Sequence, residues 1–365
     1  MDWQANAVAD IALTDPRPPL PCPRGPLTRF LVDHLMLPPH RLPPWPAVDD
    51  DPLSGDELHL GLYVCYELHY RSFAGVHDAW EWEPSLLALR AQLEAPFELA
   101  VETLVGTCPQ GGDIAAELHH VIGGGGGPSL STYMADVGTR RELEELAIHR
   151  SAYQLKEADP HTWAIPRLAG APKAAMVEIQ ADEYGNGVEA EMHASLFAQT
   201  MADLGLDPTY GAYLDLLPGT TLATVNLVSM FGLHRRRRGA LVGHLAVFEM
   251  TSVTPMGRYS RALARHRLGP AARRFYDVHV EADVRHSVVA AGRMAGGLAA
   301  AEPALFADIV FGARALMAVE ARFTAHLLSS WSDARSSLLE RSFGGGGRGE
   351  GGRGRSGEGS AARGG

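Results

Sequence analysis

The chain has too few cysteines for a disulfide framework or a structural zinc site. Only Cys22, Cys65 and Cys108 occur among its 365 residues, and no two of them form a CxxC pair. Both kinds of site need several cysteines at short, regular spacing. We therefore expect reduced thiols and a cytoplasmic protein.

Long apolar runs and an excess of basic residues are also missing. No stretch approaches the roughly 18 apolar residues of a membrane helix, and the first 25 residues show acidic side chains instead of the apolar core of a secretory signal. The 32 basic and 43 acidic side chains give a net charge of −11, which is the wrong sign for neutralising phosphates. We expect neither a membrane span nor a nucleic-acid partner.

The alternation of apolar and polar residues that indicates strands is nearly absent. Apolar residues instead recur at the three-and-four spacing of helices, and they make up part of a hydrophobic fraction of 46% that suits a globular core. The sequence predicts an all-α bundle. Its predicted helices include 141–155, 174–183, 189–204, 222–231, 240–252, 260–268, 271–294 and 303–332.

Composition divides the chain into three parts. Residues 1–55 are rich in proline and predict an arm with little regular structure. Residues 56–341 carry the helical pattern of one domain, with a glycine-rich loop at 123–129 that lacks the GK[ST] ending of a phosphate-binding loop and a preceding strand. Residues 342–365 are glycine- and arginine-rich with almost no apolar side chain, and we expect this tail to be disordered.

The stretch HVEADVRH, residues 279–286, is the first candidate for chemistry. On a helix that turns about 100° per residue, His279, Asp283 and His286 lie at about 0°, 40° and −20°, within one narrow stripe. Two imidazoles and a carboxylate aimed at one point suit a first-row metal ion. The same triplet also fits a solvated helix face in a helical interaction protein, which would leave Glu183 and Glu249 at the surface.

Carboxylates in other apolar helices favour the metal site. Glu249 stands alone in the apolar segment HLAVFEM, and Asp182 and Glu183 interrupt a mostly apolar helix that is followed by His193. A charge in an apolar helix needs a partner. Glu157 provides a further carboxylate, and the glycines around Asn186 indicate a bend between Glu183 and His193.

Four segments resemble the bacterial iron-containing redox enzymes, which belong with the heme-oxygenase-like diiron oxidases. They are LYVCYELHYRSFAGVHDAWEWEPSLLALR, SAYQLKEADPHTWAIPRLAGAPKAAMVEIQADEYGNG, FGLHRRRRGALVGHLAVFEMTS and HVEADVRH, within roughly residues 58–330. The resemblance implies the helical fold of heme oxygenase with extra N-terminal helices, and two metal ions in place of haem.

The resemblance also implies a ligand set. The family carries a Glu on one core helix, Glu-x9-His on the next, a Glu on a third and His-x3-Asp-x2-His on a fourth. The matching residues here are Glu157, Glu183, His193, Glu249, His279, Asp283 and His286. Glu178, Asp182 and Glu189 stay open as alternatives to Glu183.

The implied activity is that of a non-haem diiron oxidase or oxygenase. It would use two Fe(II) ions per chain, with manganese as an alternative second metal, and O2 to oxidise a small organic substrate by N-oxygenation, desaturation or oxidative C–C cleavage. The reductant and the oligomeric state, including a homodimer, stay open. The alternative is a non-catalytic metal- or tetrapyrrole-binding protein of the same fold.

Overall fold

The computed structural model describes residues 15–340 of the chain. No strand occurs in this range, and helices account for most of it, so the predicted all-α fold of the heme-oxygenase-like type is confirmed. The expected disordered tail, residues 342–365, lies outside the described residues. So do the first 14 residues of the arm.

The helices that we number in chain order alternate with short turns. They are α1 (Pro26–Leu35), α2 (Asp56–Glu67), α3 (Pro84–Val105), α4 (Ile114–Gly123), α5 (Leu130–Asp136), α6 (Arg140–Gln154), α7 (Asp159–Thr162), α8 (Gly170–Glu183), α9 (His193–Leu204), α10 (Gly219–Leu233), α11 (Arg238–Arg265), α12 (Pro270–Val288), α13 (Gly297–Ala301) and α14 (Phe306–Ser332). A π-helical segment, Val289–Gly296, joins α12 to α13. Short 3-10 helices occupy Asp78–Trp82, Ile165–Arg167, Gly185–Gly187, Glu189–Glu191, Leu214–Leu216, Arg235–Arg237 and Pro303–Leu305.

Side-chain caps define several helix starts. Thr139 accepts a hydrogen bond from the Glu142 amide, and Glu142 in turn accepts one from the Thr139 amide, so α6 begins with a capping box. Asp113 and Ser129 are simpler caps of α4 and α5, because their side-chain oxygens accept hydrogen bonds from amides of the first helical turn without a reciprocal bond. The glycine-rich loop predicted at 123–129 follows the end of α4 and leads into α5.

The proline-rich arm is more regular than its composition predicts. Helix α1 lies within it, and its buried side chains Leu27, Leu31 and Leu35 belong to the main hydrophobic core. Pro26 starts this helix, because a residue at the first helical position needs no amide hydrogen bond. The expectation of little regular structure in residues 1–55 is therefore wrong for this ten-residue segment.

Helix α11 is the central element, and it packs along both α12 and α14. At its crossing with α14, a Cβ atom on Gly243 would lie 1.8 Å from the Ile309 carbonyl oxygen, and one on Gly312 would lie 1.9 Å from that of Ala240. The two backbones therefore touch where both helices carry glycine. Helix α11 also runs through Pro255, where the sequence pattern predicted two separate helices.

Three of the four arginines at 235–238 are engaged in ion pairs. Arg236 pairs with Glu98, Arg237 with Glu98 and Asp308, and Arg238 with Glu302. These pairs tie the start of α11 to α3 and to the start of α14. Within residues 15–340, no helix has the length and apolar character that crossing a bilayer requires.

Candidate metal centre

The seven candidate ligands come from five elements. Glu157 lies in the turn after α6, Glu183 is the last residue of α8 and His193 is the first residue of α9. Glu249 lies near the middle of α11, and α12 carries the remaining three, His279, Asp283 and His286. All seven are buried, with between 0% and 6% of their surface exposed.

The chain turns sharply where Glu183 and His193 must meet. Gly185, Asn186 and Gly187 have φ values of 61°, 51° and 85°, in the left-handed region. A Cβ atom on Gly185 would lie 2.6 Å from the backbone carbon of Glu191, so only glycine fits there. The predicted bend is thus confirmed, and it lets residues ten positions apart converge.

The side chains form two groups that share Glu183. Glu157, Glu183, His193 and His279 each offer one ligand atom, and these four atoms lie within 4.8 Å of one another. A second group of the same compactness consists of Glu183, Glu249, Asp283 and His286. Glu183 is the one residue that belongs to both groups.

Several atoms of these groups have no hydrogen-bond partner. The His193 Nδ1 and Glu183 Oε2 atoms lie 2.7 Å apart, yet they do not form a hydrogen bond with each other or with any other group of residues 15–340. Buried polar atoms are almost always paired in proteins, and each exception needs an explanation. Hydrogen-bond partners within residues 15–340 are also missing for the Glu157 Oε2, Asp283 Oδ1 and His286 Nδ1 atoms.

A small void lies among the unpaired atoms. Its volume is about 10 Å³, and Glu157, Glu183, Glu249, His279 and Asp283 line it. This volume is close to that of one water-sized sphere. Unpaired carboxylate and imidazole atoms around such a void fit metal ions, since carboxylate oxygens and imidazoles are the ligands of non-haem iron and manganese.

Burial raises the pKa of the three glutamates of the cluster, whereas contacts with His286 and Ser252 outweigh burial and lower the pKa of Asp283. Burial raises the pKa of Glu183 to about 7 and that of Glu249 to about 8, with added repulsion from neighbouring carboxylates. Burial also opposes protonation of His279, but the Glu157 carboxylate outweighs it and raises the His279 pKa to about 10. The cluster without metal therefore holds protons that divalent cations would replace.

Hydrogen bonds from outside the two groups of ligands determine which ring nitrogen of His286 and of His279 faces the carboxylates. The Nε2 atom of His286 lies 2.8 Å from Asp182 Oδ2, while its Nδ1 atom lies 3.4 Å from both Glu249 and Asp283. His279 donates from Nδ1 to the Phe275 carbonyl oxygen at 2.7 Å, which leaves Nε2 to face Glu157. Such contacts orient the histidine ligands of metal sites.

The alternatives to Glu183 lie elsewhere. Glu178 pairs with Arg293 near the surface, and Glu189 is exposed. Asp182 contacts His286 from behind and belongs to neither group. The burial of Glu183 and Glu249 also contradicts a helical interaction protein with a solvated face, which would leave both at the surface.

The pair Lys156 and Glu67, next to the site, has no signal in the sequence. The Lys156 Nζ atom lies 2.9 Å from Glu67 Oε2, and both side chains are at most 1% exposed. Tyr210 donates a hydrogen bond to the same carboxylate, and the ammonium lies 4.3 Å from the Tyr70 ring centre. This pair anchors the turn that carries Glu157, but it joins residues 89 positions apart.

One comparison with known proteins gives a match. A family model described as iron-containing redox enzyme matches residues 144–321. All seven residues of the two groups lie within the matched range. No curated protein matches the chain.

Proposed function

Through residues 144–321 the chain belongs to the family of iron-containing redox enzymes, and we propose that it is a non-haem diiron oxidase or oxygenase that uses O2. The observation that supports this proposal most directly is the sharing of Glu183 by two buried groups of four ligands. One carboxylate between two groups is the arrangement that a pair of metal ions requires.

Charge also favours two divalent ions. The four carboxylates, Glu157, Glu183, Glu249 and Asp283, carry −4 when ionised, the three histidines are neutral as ligands, and two divalent ions supply +4. Burying an uncompensated charge is costly, so a site of these residues is most stable with a total charge near zero. The set of carboxylates and imidazoles without thiolate favours iron or manganese over copper.

The chain's own residues would bind, orient and shield the metals. Bound Fe(II) ions would supply the electrons that reduce O2, with an external reductant and a small organic substrate completing the reaction. Asp182 fixes the ring of His286, and Ser252 holds Asp283 through a 2.5 Å hydrogen bond to Oδ2. The buried position of all seven side chains excludes bulk water from the reacting atoms.

A tetrapyrrole binder is the less favoured alternative. A haem needs an open, apolar cleft beside one proximal histidine. Here four carboxylates and His279 line a void of only about 10 Å³, and this density of buried carboxylates is the opposite of an apolar haem pocket. O2 consumption by the iron-loaded protein distinguishes an oxidase from a non-catalytic metal binder.

The test is an anaerobic Fe(II) titration of the full chain and two variants. We expect the parent to bind two equivalents per chain and to consume O2 afterwards. The variant His193→Ala should bind one, because the second group does not contain His193, and Glu183→Gln should weaken both. Exposed His119→Ala serves as the control and should bind two.

The proposal fails if Glu183→Gln takes up iron as the parent does. Two equivalents of iron without any O2 consumption, with candidate reductants present, would instead support the non-catalytic metal binder. Mössbauer spectra of the loaded protein would show whether the two irons are coupled, which a shared carboxylate requires.

A further inference from the structure

A second, much larger cavity adjoins the metal centre. Its volume is about 720 Å³, within the range of small-molecule pockets. Tyr153, Phe248 and Ser252 line both this cavity and the small void among the candidate ligands. Ser252 also donates its hydrogen bond to Asp283, so one side chain separates the cavity floor from the second group of ligands.

The cavity is open to solvent at its other end. The glycine-rich loop at 123–129 lines it, and residues 124–129 of this loop are exposed. Ala321 and Ala325 of α14, also exposed, lie along the same rim. A molecule that enters here would lie against Tyr153, Phe248 and Ser252, which also line the void among the candidate ligands.

The charged side chains that line the cavity are already compensated. Arg150 binds Glu320 through two hydrogen bonds of 2.9 and 2.7 Å, and both residues line the cavity. Arg314, the other lining arginine, donates to Glu117 at 2.8 Å. A ligand with a net charge would meet no uncompensated partner in this partly enclosed space, so its desolvation would be costly.

The other lining groups are apolar or hydroxyl-bearing. Met256, Leu316 and Met317 provide apolar surface, and Tyr259 and Tyr276 bring phenol groups that can donate or accept hydrogen bonds. Burial raises the pKa of Tyr259 to about 12, so its hydroxyl stays neutral. Such a lining suits an apolar body with one or two uncharged polar groups.

We propose that this cavity is the substrate pocket, and that it selects molecules that are largely apolar and carry no net charge. Its assignment as a substrate pocket rests on the function proposed above. The preference for uncharged molecules does not rest on that function, because probe binding can be measured without turnover.

A matched pair of fluorescent probes tests the selectivity. N-phenyl-1-naphthylamine is uncharged at neutral pH, and 8-anilinonaphthalene-1-sulfonate is the same ring system with an anionic group. With the full chain, both metal-free and loaded with Fe(II) under argon, we expect the uncharged probe to bind at least tenfold more tightly. Tighter binding of the sulfonate would overturn the proposal.

Two variants place the probe and its charge preference. Ala318→Trp fills the cavity wall and should abolish binding of the uncharged probe, whereas Ala174→Trp, on the exposed face of α8, should not change it. Glu320→Gln leaves Arg150 without its counter-charge and should raise the affinity for the sulfonate at least fivefold. The control Glu178→Gln removes an ion pair outside the cavity and should leave both affinities unchanged.

A paramagnetic metal tests the connection to the metal centre. When Mn(II) occupies the site, the proton NMR signals of the bound uncharged probe should broaden, and Glu183→Gln should remove the broadening without releasing the probe. Binding without broadening would show that the cavity does not serve the metal centre.

The failures are distinguishable. If neither probe binds, the substrate pocket is refuted, and the iron titration still decides the diiron proposal. If the parent chain dimerises and Ala318→Trp abolishes the dimer, the cavity is instead a contact with a second copy of the chain. If iron fails to bind but the probe preference holds, only the redox function is lost.

Discussion

The ring of His286 lies between Asp182 on one side and Glu249 with Asp283 on the other, and Asp182 lies outside the candidate metal centre. Its Oδ2 atom lies 2.8 Å from His286 Nε2, on the side of the ring opposite Glu249 and Asp283. A carboxylate in this position keeps the proton on Nε2 and leaves the Nδ1 lone pair free for a metal. Asp182 therefore orients His286 without being a ligand.

Removing the Asp182 carboxylate should weaken metal binding, although all seven candidate ligands remain in place. We expect Asp182→Ala to lower the affinity for Fe(II) by about 10- to 100-fold, the range seen when such outer contacts are removed. Anaerobic titration would measure the change. Glu178→Gln, one turn earlier on the same helix, removes an ion pair with Arg293 and should bind iron as the parent does; equal losses in both variants would contradict an orienting role.

Replacing only one member of the buried pair Lys156 and Glu67 should strongly lower the free energy of unfolding. We expect Lys156→Met to lower the free energy of unfolding by about 3–5 kcal/mol, because it leaves a buried carboxylate without a cation. The double variant with Glu67→Gln should recover part of the loss. Urea unfolding would measure both.

An exposed ion pair provides the comparison for that cycle. Arg335 and Asp333 are 64% and 55% exposed, and Arg335→Gln should change stability by no more than about 0.5 kcal/mol. A double variant no more stable than Lys156→Met alone would show that the two side chains are not energetically coupled.

Two glycines of helix α11 should respond in opposite directions to alanine. Gly243→Ala places a methyl group against the Ile309 carbonyl and should destabilise the protein by about 3 kcal/mol or more, since the helices must separate. Gly257→Ala meets nothing closer than Val280 at 3.7 Å and should stabilise it by about 0.5–1 kcal/mol. Thermal unfolding of both variants measures the difference, and a neutral Gly243→Ala would contradict direct backbone contact between α11 and α14.

His59 should make the protein less stable as the pH falls. Burial lowers its pKa to about 4, its Nε2 donates to the Pro52 carbonyl, and the Asn226 amide donates to its Nδ1. The unfolded chain protonates this histidine near pH 6.5 and the folded chain only near pH 4, so stability is complete above pH 6.5 and falls toward pH 4. The loss by pH 4 is on the order of 3 kcal/mol.

A variant comparison isolates this contribution. His59→Gln should be less stable overall, but its unfolding free energy should decline less between pH 6.5 and pH 4 than that of the parent. Urea titrations of metal-free protein at several pH values measure the slope, with exposed His119→Gln as the control. Parallel slopes in parent and His59→Gln would contradict the prediction.

Helical periodicity predicted much of the site because the ligands on α12 follow one stripe. His279, Asp283 and His286 are three and four residues apart, so their convergence needs no tertiary information. Glu249 was identified by a different signal, because a lone carboxylate among apolar neighbours needs a partner. Glu157, in a turn, has no periodic signal, and only the resemblance to a family placed it.

What the sequence could not predict depends on tertiary packing. Pro255 indicated a break in α11, but a helix can continue through proline when neighbouring helices pack against it. The pair of Lys156 and Glu67 and the cavity between α6, α11 and α14 join distant residues, and no local pattern encodes them. The contact of Asp182 with His286 could not be predicted either, because it depends on which face of α8 packs against α12.

The π-helical segment Val289–Gly296 follows His286 by three residues. A π-helical turn is what an α-helix becomes when one residue is inserted, and the inserted residue is accommodated locally. The π-helical turn therefore shifts the rotational phase of α13 relative to the face of α12 that carries the candidate ligands. Insertion or loss of one residue within Val289–Gly296 would change the phase of α13 and leave His279, Asp283 and His286 in one stripe of α12.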